Sequence, residues 1–71
     1  MKYITKEGIE VKFGQIWMDN DVRMSGRKCR VTAFDGPQII MRDIHSDKKT
    51  SININRMRDI ASGWVLFKEC A

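Results

Sequence analysis

The stretch Arg27-Lys28-Cys29-Arg30-Val31-Thr32-Ala33-Phe34-Asp35-Gly36-Pro37 decides the fold class. Cys29, Val31 and Ala33 fall on one side of an extended chain, and Lys28, Arg30 and Thr32 on the other. A period of two is that of a half-buried β-strand. By parity Phe34 joins the polar side, which makes it the expected exposed aromatic, with Tyr3 a second candidate. Asp35-Gly36 is a strong turn dipeptide, and Pro37 lacks the N–H that a ladder needs. Gln38 to Ile44 is then the partner strand of a hairpin.

Toward the C-terminus, His45 to Lys49 is a second turn, and Thr50 to Asn55 alternates with Ile52 and Ile54 inward. The period then changes. Met57 and Ile60 are three apart, which suits one helical or 3-10 turn capped by Asn55. Ala61-Ser62-Gly63 returns the chain to a last strand, Trp64 to Lys68. Toward the N-terminus, Asp19 to Gly26 has loop composition. Its apolar residues, Val22 and Met24, are expected to fold back onto the body. Gln15 to Met18 is a strand that resumes after Gly14, with Ile16 and Trp17 on opposite faces. Ile9 to Phe13 alternates again, and Met1 to Thr5, joined to it through Lys6-Glu7-Gly8, is either a further strand or a loose arm.

A chain of 71 residues makes one domain, spanning 1–71. Short, evenly spaced strands with glycine turns predict an all-β fold. The long loop after the Trp17 strand and the single helical turn before the last strand suggest a small five-stranded SH3-like barrel. An OB-like barrel is the alternative, but it usually needs a longer chain and an interior helix. In the SH3-like arrangement the last strand returns beside the first and brings Trp64 near Trp17. Both tryptophans are then expected in the core rather than as stacking platforms.

From Val11 onward the residues Val11, Gly14, Gln15, Trp17, Asp19, Asn20, Asp21 and Arg23 follow a Val-x-x-Gly-Gln-x-Trp-x-Asp-Asn-Asp core with a nearby arginine. Arg27, Arg30, Val31, Thr50, Ile52, Arg56, Arg58, Gly63 and Trp64 continue it as two basic strands, an arginine pair and a closing Gly-aromatic strand. In this the chain resembles a family of small phage, prophage and bacterial proteins that have no established activity. The resemblance implies a phage or prophage setting and supports the fold more than any function. Val22 stands where that pattern has a proline, which implies a less rigid loop.

Thirteen Lys and Arg against nine Asp and Glu give a net charge of +4, which favours polyanionic partners. Lys28 and Arg30 share a strand face, Arg42 lies on the next strand, Lys48-Lys49 form the following turn, and Arg56 and Arg58 flank the helical turn. If the strands present these on one side, they make a cationic face beside Phe34 that neutralises phosphates without reading sequence. Arg23 and Arg27, held by the Asp19-Asn20-Asp21 loop, complete the candidate set. The opposing expectation is a solvated surface paired locally with Asp35, Asp43, Asp47 and Asp59.

Catalytic and metal chemistry have little to work with. Asp19, Asn20 and Asp21 lack the further oxygen ligands and later glutamate of a calcium loop. They are expected instead to close the loop through backbone N–H groups and to pair with Arg23 or Arg27. His45 and the two cysteines, Cys29 and Cys70, lack metal-ligand spacing, and the cysteines are expected to be reduced thiols. No phosphate loop, nucleophile elbow or paired catalytic carboxylate is visible. The expectation is a cytoplasmic, non-enzymatic binding protein without cofactor or membrane segment, monomeric or homodimeric. Its first candidate partner is nucleic acid. The alternative is a host or phage protein, engaged by an interaction module or inhibitor that also self-associates through strands apolar on both sides.

Overall fold

A computed structural model describes residues 3–24 and 26–69, without the Met24 side chain. The expectations at Met1, Lys2 and Cys70, and for the packing of Met24, lie outside the described residues.

The chain is mostly β. In order it forms β1 (Tyr3–Ile4), β2 (Glu10–Val11), β3 (Ile16–Asp19), a 3-10 turn (Val22–Met24), β4 (Lys28–Asp35), β5 (Gln38–Asp43), β6 (Lys49–Asn53), a second 3-10 turn (Ile54–Arg56) and β7 (Trp64–Lys68). Every strand pair is antiparallel. Five strands make one sheet in the order β6-β5-β4-β3-β7, and β1 and β2 make a separate hairpin. The expected return of the last strand beside the Trp17 strand is present, with Asp19 opposite Trp64 and Trp17 opposite Leu66. The ladder does not close, because β6 and β7 are the two ends of the order.

Alternation builds the core as expected. Trp17, Cys29, Val31, Ile39, Met41, Met57 and Trp64 are almost fully buried, joined by Val11 and Ile52 in one cluster. Burying a large side chain is worth about 1.5–3 kcal/mol. Thus the two tryptophans alone rival the roughly 3–5 kcal/mol net stability of a core this small.

The register breaks at one point in β4. Val31 faces Met41, yet Ala33 faces Ile40, so Thr32 has no partner of its own on β5. This bulge inverts the parity beyond it. Ala33 turns outward, while Phe34 turns inward opposite buried Ile39. Phe34 is therefore not the exposed aromatic of a basic face. Its ring stacks on Tyr3, centroids 4.4 Å apart and 19° from parallel, and both pack against the core. The contact ties the β1–β2 hairpin to the main sheet, so that segment is an ordered hairpin rather than a loose arm.

Two loops depart from expectation. Val22 is 90% exposed and does not fold back. The turn after β6 starts earlier than its apolar spacing suggests: Asn53, not Asn55, is the cap, its side chain accepting from the Asn55 N–H. Met57 still enters the core, whereas Ile60 is left partly exposed.

The Gly14–Asp21 stretch is the polar centre of the fold. Gly14 turns the chain with φ +90°, a conformation open to glycine. The fully buried Gln15 side chain then makes four hydrogen bonds. Its Oε1 accepts from the Lys12 N–H at 2.8 Å and the Trp17 Nε1–H at 3.1 Å. Its Nε2 donates to the Glu10 carbonyl at 3.0 Å and to Glu69 at 3.1 Å. One amide thus joins β2, β3 and the chain just after β7, and it satisfies the indole of a buried tryptophan.

Candidate nucleic-acid interface

The face of the sheet opposite the core follows from register, because cross-strand partners point to the same side. Arg30 on β4 lies directly opposite Arg42 on β5, and Arg42 directly opposite Lys49 on β6. Lys28, two residues before Arg30, shares their face. In the other direction Arg30 faces Ile16 on β3, and Ile16 faces Lys68 on β7. One transverse row therefore reads Lys68, Ile16, Arg30, Arg42, Lys49. It crosses four strand spacings of about 4.8 Å, or about 19 Å.

Few acids balance this row. Among the outward positions of β4 to β6 the only acid is Asp35, at the far end of β4. Asp43 is turned onto its own loop, accepting from the His45 and Ser46 N–H groups, and those bonds hold its carboxyl below the usual range. Among the described residues Lys28, Arg30 and Lys49 have no ion-pair partner. Arg42 donates to the Asp47 carbonyl at 3.0 Å and lies 3.8 Å from its carboxylate, a solvated contact worth little.

The remaining sequence candidates do not join the row. Arg27 bonds Asp19 at 2.9 Å, and its guanidinium sits 5.2 Å from the Trp64 ring centroid, so it clamps the loop to the core. Arg23 chelates Asp21 through Nε and Nη2, at 3.1 and 2.8 Å. That side-chain bond, with the Arg23 backbone N–H, pulls the Asp21 carboxyl down to about 2 and raises Arg23 in return. Asn20 donates to Asp59 and to the Ile60 carbonyl. The Asp-Asn-Asp cluster is thus a loop fastener that consumes both nearby arginines. Arg56 donates to the Ser62 carbonyl, and Arg58 is half-buried, both on the loop between β6 and β7. Lys48 is exposed in the turn before β6.

Sequence reasoning missed the aromatic that does accompany the cations. Phe67 is 55% exposed, and the Lys28 ammonium lies 4.9 Å from its ring centroid. Counting by twos from inward Trp64 puts Phe67 outward, so the signal was present. The class defined by this geometry is an all-β protein with an open antiparallel sheet, one face closed over a core and the other cationic. Comparison with protein-family models, with curated proteins and with solved structures found no match. No helix among the described residues is long and apolar enough to cross a membrane, and no cluster of metal-ligating side chains occurs among them.

Proposed function

We propose that this chain is a small SH3-like barrel module that binds nucleic acid through its phosphates, on the outer face of the five-stranded sheet. The antiparallel order β6-β5-β4-β3-β7 and the β1–β2 hairpin packed against its core support the barrel reading. The phage or prophage setting implied by the Gly-Gln-x-Trp-x-Asp-Asn-Asp resemblance belongs to the same proposal.

One observation carries it: Arg30, Arg42 and Lys49 stand abreast on three neighbouring strands. Like charges directly opposite destabilise a sheet. A domain with few kcal/mol to spare keeps such a row without interleaved acids, and a polyanion laid across it removes the repulsion. Binding of this kind releases counterions and weakens steeply with salt.

Titration of a labelled oligonucleotide by fluorescence anisotropy at several salt concentrations tests the reading. Four cations, Lys28, Arg30, Arg42 and Lys49, set a log–log salt slope of about −3 on a single strand. Arg30→Thr is expected to reduce that slope by about one-quarter while leaving the melting temperature unchanged or slightly raised. No binding at low salt, or binding indifferent to salt, refutes the proposal. The protein-interaction alternative draws on Phe13 and Val22, 70% and 90% exposed. They sit on different loops, and single exposed apolar residues are ordinary. A solution mass of twice the monomer that falls on Val22→Ser would move this alternative ahead.

A further inference from the structure

We propose that the cationic face selects single-stranded over duplex nucleic acid, with Phe67 as the platform on which one unpaired base stacks. The inference rests on the phosphate-binding reading above and deepens it.

Phe67 points outward by ordinary alternation from inward Trp64, and a second break in register falls at the same place. Trp17 pairs with Leu66 and Ile16 pairs with Lys68, so Phe67 is the extra residue of β7 with no partner on β3. Bulged residues are aimed away from the regular ladder, and such aiming often serves a site. Both tryptophans of the same two strands are buried, yet this ring is left 55% exposed. The Lys28 ammonium at 4.9 Å fixes which face the ring joins, because Lys28 and Arg30 alternate outward along β4.

Charge alone draws duplex and single strand alike. A ring beside the charges does not, because duplex bases are stacked on one another and only an unpaired base has a free π-face. Stacking on an aromatic side chain strengthens binding by about 5- to 150-fold per base, equivalent to about 1–3 kcal/mol. Lys28 already lies over the ring and must give way. An exposed cation–π contact of this type is worth a factor of about two to five, less than the stacking it yields to. The displaced ammonium stays on the face where phosphates lie, so its charge is not lost. With one ring and no aimed side-chain amides in the row, the site reads strandedness and not sequence.

The test compares three probes at one low salt concentration on the full chain. They are a thymidine homopolymer of about ten nucleotides, an abasic deoxyribose-phosphate strand of the same length, and a duplex of the same length. The thymidine strand is expected to bind about 5- to 150-fold tighter than the abasic one, and tighter than the duplex. Phe67→Ala is expected to bring the thymidine strand to the abasic level with the salt slope unchanged, and Phe67→Trp to restore it. A uridine homopolymer distinguishes RNA from DNA, and preference for either over its abasic control upholds the platform. Equal affinity for thymidine and abasic strands, preference for the duplex, or a thymidine advantage that survives Phe67→Ala overturns it. Failure of all probes to bind at low salt instead removes the phosphate-binding reading beneath it. A melting curve of each variant confirms folding, which a half-exposed ring does not control.

Discussion

Gln15→Leu is expected to bring this protein close to unfolding. Leucine fills much of the same volume but offers no polar atom. The Trp17 indole N–H and the Lys12 N–H lose their acceptor, and the Glu10 carbonyl and the Glu69 carboxylate lose a donor. The indole is fully buried and has no water to turn to. Each orphaned buried group costs about 1–3 kcal/mol. Counting the two donors and subtracting leucine's gain in apolar transfer leaves a loss of about 2–4 kcal/mol, against a total of about 3–5. Urea unfolding followed by the fluorescence of Trp17 and Trp64 measures it, and the midpoint should fall close to zero denaturant. Gln15→Glu separates hydrogen bonding from shape. It retains acceptors for Lys12 and Trp17 but sets a buried carboxylate against Glu69. Burial and the like charge raise the folded-state pKa of the introduced carboxyl above a glutamate's ordinary value of about 4.3. The folded form is then least penalised below that value, and stability is lost as pH rises through the raised one. The variant should be more stable near pH 4 than at pH 7. A Gln15→Leu midpoint within error of the wild type would refute the reasoning, since it would show the four bonds contribute no net stability.

Other outcomes follow from the same packing. Gly63→Ala should cost about 1–3 kcal/mol or more, read as a lower urea midpoint. A Cβ there runs into the Arg58 carbonyl oxygen and would lie 2.7 Å from Ile60 Cγ1 and 3.0 Å from the Arg56 oxygen. The Cys29 thiol, pushed up from 9.0 to about 11 by burial, holds about a hundredfold less thiolate near neutral pH. With Cys70 replaced by serine, a thiol reagent at pH 8 should therefore label the folded chain more than a hundredfold slower than the urea-unfolded chain, and comparable rates would contradict its burial. Asp21 titrates from an ordinary 3.8 down to about 2 in the fold. The stabilisation is present above about pH 4 and is lost as pH falls toward 2. Asp21→Asn should lower the melting temperature at pH 7 and leave it unchanged near pH 2, and a variant equal to the wild type at both would show that the pair with Arg23 holds nothing.

Much of this fold was legible from alternation and turn chemistry. The β4–β5 hairpin, the burial of Trp17 and Trp64, the fastening role of Asp19 to Asp21 and the bounds of β7 all follow from residue types at simple spacings. The bulge at Thr32 was not legible. Threonine is an ordinary strand residue, and no glycine or proline marks the extra position, so counting by twos ran one residue out of phase beyond it. That single slip placed Phe34 on the wrong face. Gln15 escaped notice for a different reason: a lone glutamine carries no sign of burial until its four partners, spread from residue 10 to residue 69, are brought together. Of the cations, Lys28, Arg30 and Arg42 were recoverable because strand register carries them across the sheet, whereas Lys49, expected in the turn, instead opens β6 and completes the row. Arg56 and Arg58 were not, because the 3-10 turn after β6 takes the chain off the sheet.

The bulge in β4 also has a mechanical side. A bulged strand bends and twists more strongly than a regular one, and the sheet coils around whatever it encloses. Here the core lies on one side of the bent strand, and Arg30, Arg42 and Lys49 lie on the other. One unmarked threonine thereby sets both the face that Phe34 takes and how far the strand carrying Arg30 departs from a straight ladder.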